Sequence, residues 1–277
     1  MTLRDGLQIL PVTLSTERKA ALYDLLLAAG LKAFQVTSFV SPKRVPQLAD
    51  AESLWRRLDG REGQRDALVA NLRGYERAHE VGADRLELVL ALSPSYHRKN
   101  SGRSQEETMA AFEVVLERAR ADGAHVGIGF ANAWHCTFEG PTPAARVLRW
   151  GERFYALGVR DIGLADTTGG ARPDDVAALV ERARAAWPDA LLRVHLHDGG
   201  HGLDNARAAL DAGADGLDAA LHGIGGSPFA GETGGNLDVM RLVDAGIAAL
   251  DAEALRQAWR TLAGWIGDED ASDANDA

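Results

Sequence analysis

Only one of the 277 residues is a cysteine, Cys136, so no internal disulfide can form, and the chain reads as one made for a reducing compartment. Long apolar runs are also missing. None reaches the roughly 20 residues that a membrane-spanning helix needs. The opening residues, Met1-Thr2-Leu3-Arg4-Asp5-Gly6, lack the basic-then-apolar order of a signal peptide. Positive charge is in deficit, with 40 Asp and Glu against 30 Lys and Arg, a net charge of -10. That balance, with no long basic run, argues against a nucleic-acid partner. An acidic surface does nothing to attract an anionic substrate, so any such substrate needs local basic residues. The glycine-rich phosphate loop of doubly wound sheets is absent: Gly127-Ile128-Gly129 lies inside a strand pattern, not after one. The expectation is a cytoplasmic chain with a small-molecule substrate and neither a nucleic-acid nor a membrane partner.

What is present is a regular alternation of strand and helix patterns. Apolar residues make up 46% of the chain, ample for a large core. Strands are expected at Lys32–Val40, Ala67–Asn71, Arg85–Leu92, Ala124–Phe130, Val159–Ala165, Leu191–His195 and Gly216–Leu221, with a short first one at Met1–Asp5. Helices are expected at Ser15–Ala29, Pro46–Leu58, Gly74–Val81, Gln105–Ala121, Thr142–Leu157, Pro173–Trp187, Leu203–Ala212, Leu237–Leu250 and Ala252–Ile266. Such alternation demands a parallel sheet, and about eight units is the number that closes a ring. The expected fold is α/β, a single (β/α)8 TIM barrel over residues 1–266 with a short first strand and an extra C-terminal helix. Residues 267–277 are expected to form an acidic, disordered tail.

The pattern centres on Val194-His195-Leu196-His197-Asp198. Positions i and i+2 of a strand share a face, so both imidazoles point the same way at the strand's C-terminal end. The plain reading is two polar residues that happen to alternate; the sharper one is a pair of metal ligands. Other strand ends add Arg4, Asp5, Gln35, Thr37, Asn132, His135, Asp166, Thr167 and His222, and a glycine-rich loop, Gly223–Gly235, brings Ser227 and Glu232 before Asn236. In parallel barrels this end carries the chemistry. Two imidazoles with a carboxylate and an amide oxygen suit Mg or Mn, with Zn as a further option; a closed thiolate zinc site needs more than one cysteine.

Several segments taken together resemble a known family. Arg4-Asp5-Gly6-Leu7-Gln8, Val36-Thr37-Ser38-Phe39-Val40-Ser41-Pro42-Lys43, Val45-Pro46-Gln47, His195-x-His197-Asp198, Gly225-Gly226-x-Pro228 and Gly234-Gly235-Asn236-Leu237 resemble 3-hydroxy-3-methylglutaryl-CoA lyase, of the DRE-TIM metallolyase superfamily. The resemblance runs from Arg4 to about Leu242. It implies that Asp5, His195, His197 and Asn236 hold a divalent cation, that Arg4 steadies an enolate oxygen as a carbon–carbon bond breaks, and that Asp166 is an active-site acid. It also implies cleavage of a 3-hydroxy acyl ester or thioester through a metal-stabilised enolate, a CoA thioester among the candidate substrates, and a homodimer.

The chain departs from that family in places that bear on proton transfer. Ser227 stands where the family's loop has cysteine, and a serine hydroxyl is far less acidic than a thiol. Gln35 stands where the family has glutamate. His197-Asp198-Gly199-Gly200-His201-Gly202 replaces a segment usually one residue longer, and Ile9-Leu10 replaces Asn-Glu. His201 and His222 are extra histidines; each is either a proton donor or a polar residue of the rim. Cys136 reads as a buried small hydrophobe. Lys43, Arg44, Arg98 and Lys99 either meet a CoA phosphate or form a solvated basic face. Three functions remain in play: the lyase; a same-superfamily lyase, aldolase or Claisen-type synthase with a different substrate, CoA-linked or not; and an inactive metal-binding barrel.

Overall fold

A computed structural model describes residues 1–226 and 234–272. Among the described residues, seven parallel strands form one curled sheet: β1 (Ala33–Ser38), β2 (Gln64–Leu68), β3 (Arg85–Ala91), β4 (His125–Ala131), β7 (Asp161–Asp166), β8 (Leu191–Leu196) and β9 (Gly216–Asp218), paired in that order. A small antiparallel pair, β5 (His135–Cys136) and β6 (Gly140–Pro141), sits in the loop after β4. The helices between strands are α1 (Thr16–Ala28), α2 (Ala51–Arg57), α3 (Leu72–His79), α4 (Pro94–Ser101), α5 (Gln105–Asp122), α6 (Ala144–Ala156), α7 (Pro173–Ala186) and α8 (Gly202–Asp211), followed by α9 (Val239–Asp244) and α10 (Ala252–Ser272). Strand parity explains the layering. Leu86, Leu88, Leu90, Ile128, Phe130, Ile162, Leu164, Leu192, Val194 and Leu196 are buried on the face that meets the helices. The alternate positions, Glu87, Gly129, Gly163, Ala165 and His195, face the interior cavity. Among the described residues no helix is long and apolar enough to cross a membrane.

The expected first strand does not form. Thr2–Gly6 is a π-helical turn, with the amides of Arg4, Asp5 and Gly6 all folding back on the Met1 carbonyl at 2.9–3.2 Å. This turn sits between the sheet edges. Arg4 reaches Gln35 of β1, while the Met1 nitrogen donates to the Ala219 carbonyl at 3.0 Å and Thr2 Oγ1 accepts from the Leu221 amide at 2.9 Å beyond β9. The turn therefore bridges β1 and β9 without a ladder, and among the described residues the curled sheet is a half-barrel of seven parallel strands.

Other differences are local. Pro46–Leu48 is a separate 3₁₀ turn before α2, so the expected Pro46–Leu58 helix is split. The sequence reading missed α4, which begins with Pro94 after the capping Ser93. The helix expected over Leu237–Leu250 is confined to Val239–Asp244, and α10 continues past Ile266 through Ser272. Ser227, Pro228, Glu232 and the last residues of the acidic tail lie outside the described residues.

Candidate metal centre and active site

The C-terminal ends of the strands open into a cavity of about 1220 Å³ whose lining includes Arg4, Asp5, Glu87, Thr167, His195, His197 and Asp218. His195 in β8 and His197 immediately after it are brought together by the two-residue repeat of the extended chain. Their Nε2 atoms face each other at 3.2 Å. His197 Nδ1 lies 3.1 Å from the Gly234 carbonyl, which can only accept, so Nδ1 carries the proton and Nε2 the lone pair. His195 Nδ1 lies 3.5 Å from Asp218 Oδ2, which orients it the same way. Two lone pairs thus converge on one point. Burial, then the neighbouring His195, lowers the His197 pKa to about 4, so this ring stays neutral and able to coordinate near neutral pH.

Asp5 and Asn236 stand beside the histidines, brought there from opposite ends of the chain. Asn236 bridges to His197 in backbone register, and its Nδ2 donates to Asp5 Oδ2 and to the Ile224 carbonyl, both at 2.8 Å. Asp5 Oδ2 also accepts from the Gly226 amide at 3.1 Å, and Oδ1 from Arg4 at 2.5 Å and Gln8 at 3.0 Å. Burial alone would raise the Asp5 pKa, but the Arg4 guanidinium, the two histidines and the Asn236 amide outweigh it and hold the carboxyl below its usual range. The Asn236 Oδ1 atom is buried with no hydrogen-bond partner. Gly225 makes the approach possible: at φ +117° a Cβ there would fall 2.1 Å from Asn236 Nδ2 and 2.6 Å from Asp5 Oδ2.

This donor set fits a divalent cation. The amide oxygen of Asn236 lacks a partner that a cation supplies, the two imidazole Nε2 atoms turn inward to within 3.2 Å of each other, and the carboxylate adds charge. Both rings also have the acceptor behind them that metal-binding histidines use. As placed, no three His, Cys, Asp or Glu side chains among the described residues form a compact ligand cluster; Asp5 Oδ1 is held by Arg4 and Oδ2 by Asn236 and Gly226.

The remaining candidates separate clearly. Gln35 is buried, accepting from Arg4 Nε and donating to Glu87. Asp166 is fully buried and accepts from the Gly170 and Ala171 amides at 3.2 and 3.0 Å, so it pins the loop after β7 and is not among the cavity-lining residues. Burial raises its pKa against those two bonds. His201 caps the start of α8 through its backbone and does not line the cavity. His222 is exposed and stacked on Trp259 at 4.0 Å, away from the site. Cys136 is buried, its thiol 3.1 Å from Ser93 Oγ. Arg44 lines the outer cavity together with Arg73, Arg77 and Arg103, whereas Lys43, Arg98 and Lys99 do not. Glu87, Arg193 and Asp218 were not singled out from sequence. Their signal was parity: each shares a face with cavity-lining or metal-candidate positions on its own or a neighbouring strand.

Comparison with known proteins identifies the family and the fold. Residues 1–258 match the HMGL-like family. The chain is 38% identical over 246 residues to the (R)-citramalyl-CoA lyase of Chloroflexus aurantiacus, covering 84% of this chain and 78% of that one. It is 35% identical over 242 residues to the mitochondrial hydroxymethylglutaryl-CoA lyase of Homo sapiens, covering 87% and 74%. Among solved structures, an HMG-CoA lyase from Acinetobacter baumannii in complex with coenzyme A and 3-methylmalate superposes with a TM-score of 0.89 at 34% identity, over 96% of this chain and 89% of that one. The HMG-CoA lyase of Brucella melitensis gives 0.87 at 34% identity, over 96% and 97%.

Proposed function

The chain belongs to the HMGL-like family, whose named relatives are carbon–carbon lyases, and from that premise we propose that it is a divalent-metal-dependent lyase cleaving a 3-hydroxy acyl thioester of CoA. Asp5, His195, His197 and Asn236 would hold the cation; the observation that carries this is the pair of Nε2 atoms at 3.2 Å, together with the buried, unpartnered Asn236 Oδ1. When bound, such a cation supplies Lewis acidity to the substrate's oxygens, with Mg or Mn matching the oxygen-rich donor set. Arg4 is held in the cavity by Asp5 and Gln35, placed to offset the negative charge that develops on oxygen as the carbon–carbon bond breaks. Asp166 acts on the loop rather than on substrate, holding the Gly170 and Ala171 amides beside the cavity-lining Thr167. Arg44, Arg73 and Arg103 at the outer wall answer the local basic charge that an anionic CoA ester requires on an acidic protein. Ser227 takes the protonating role from its loop, and the active unit is a homodimer.

The experiment is a substrate screen with Mg or Mn, setting citramalyl-CoA and hydroxymethylglutaryl-CoA against the corresponding free hydroxy acids and against 2-oxo acids. Metal-dependent cleavage of one thioester and of no free acid is the expected result. Turnover of 2-oxo acids alone, or of none of these compounds with metal bound, contradicts the proposal.

A further inference from the structure

An ionic layer lies beneath the site, and the proposed chemistry makes no use of it. β3 sends Glu87 inward, β7 Asp161, β8 Arg193 and β9 Asp218. Glu87 and Arg193 are not sheet neighbours, since β4 and β7 lie between their strands, yet Arg193 NH2 donates to Glu87 Oε1 at 2.7 Å. The contact spans the sheet's concave face. The intervening strands present glycine there: a Cβ on Gly129 would press to 3.2 Å from Glu87 Oε1, while one on Gly163 would sit in ordinary contact, 3.7 Å from both Glu87 Oε1 and Arg193 NH2. Mid-strand glycines weaken a strand unless something needs the room, and here a side-chain pair does.

The layer joins the site at both ends. Glu87 Oε2 accepts from Gln35 Nε2, and Gln35 Oε1 accepts from Arg4 Nε. Arg193 NH1 lies 3.3 Å from Asp218 Oδ2, which in turn faces His195 Nδ1. Polarity is forced at each link. Arg4 can only donate, so the Gln35 oxygen must face it, and the Gln35 amide nitrogen must then face Glu87. Glu87 therefore meets a donor on each oxygen, one from Gln35 and one from Arg193. A neutral amide at 87 has only one accepting end and cannot serve both.

Building on the proposed function, we infer that Glu87 and Arg193 are positioning residues for the reaction: through Gln35 they fix the orientation of the Arg4 guanidinium, and through Asp218 that of His195. The pair does not touch the reacting atoms. It sets which way the groups that do touch them point.

The chain of polarity supplies its own test. Glu87→Gln leaves a donor facing a donor, and Gln35→Glu sets a carboxylate against a carboxylate. The double variant Gln35→Glu/Glu87→Gln reverses both ends and restores every link: Arg4 and the Gln at 87 both donate to the Glu at 35, and Arg193 donates to the Gln oxygen. With Mn and the thioester that the parent cleaves, each single variant is expected to lose at least about tenfold in kcat with KM within about twofold, and the double variant to return to within about threefold of the parent. Single variants as fast as the parent, or a double variant no better than the worse single, overturn the inference. So do rate losses that track a parallel loss of urea midpoint in all three, which would assign the layer to stability alone. A second readout needs no substrate: the Arg4 Nε–H cross-peak in ¹H–¹⁵N spectra, assigned through Arg4→Lys. It should be resolved and slow to exchange in the parent, displaced or broadened in Glu87→Gln and recovered in the double variant. If no thioester is cleaved, the proposed function fails while this signal still decides the inference, and a peak unchanged in Glu87→Gln overturns it.

Discussion

At the scale of single residues, the site depends on groups whose hydrogen bonds leave one atom over. Asn236 spends its amide nitrogen on Asp5 and Ile224 and keeps a buried oxygen without a partner. Asn236→Ala is expected to weaken Mn binding by on the order of 10- to 100-fold with little change in thermal midpoint, read by Mn titration beside a melting curve. Ser227 carries a second expectation: Ser227→Cys should keep or raise turnover and Ser227→Ala should lose it, with steady-state kinetics as the check. His195 and His197 were legible in the sequence because two imidazoles two apart in an apolar strand share a face. Glu87, Arg193 and Asp218 were not. A charged residue in a strand looks like a solvent-facing one until the topology reveals that this face of the sheet turns inward, with Glu87 and Asp218 in the cavity wall.

At the scale of elements, the turns and caps place these residues. Ser93 caps α4 through the Tyr96 amide at 3.2 Å and takes the Cys136 thiol as a second partner. Ser93→Ala is expected to cost about 1–2 kcal/mol of stability, seen in urea denaturation, by loss of a buried cap. Gly225 is the corresponding element on the site side. Gly225→Ala would drive a methyl between Asn236 and Asp5, and a displacement of about 1 Å there is expected to reduce kcat on the order of 100-fold. Helices with clear start signals and apolar stripes, such as α5 with its capping box and α7 with proline in its first turn, were readable to within a few residues. The first strand was not, since five residues carry no periodicity and their backbone bonds were decided by a local turn rather than by a ladder. The fragmentation of the Pro46–Leu58 segment was equally hidden, because helical spacing persists across a 3₁₀ turn.

At the scale of the whole molecule, interior charge couples the fold to pH. Burial opposes ionisation of Asp161, but the His125 ring 3.6 Å away and the hydrogen-bonded Arg193 guanidinium outweigh it and hold the carboxyl below its ordinary value of 3.8. The unfolded chain therefore takes up this proton at higher pH than the folded one. The stability it contributes is present above about pH 4 and is lost as pH falls through the lowered value. Asp166, raised by burial, works in the opposite sense. Urea midpoints should drop below about pH 4, and Asp161→Asn should lower the midpoint at pH 7 more than at pH 3. The α/β class and the parallel order of seven strands were legible from alternation alone; the interior layer was not, because it depends on side chains meeting across strands far apart in sequence. The central claim is that β8 and the two loops beside it build one cation site. A Mn titration of the parent and of His197→Ala, followed by electron paramagnetic resonance, tests it most directly. The account predicts one site per chain in the parent and a loss of affinity on the order of 100-fold or more in the variant. A parent that binds no Mn, or a variant that binds it equally well, would contradict it.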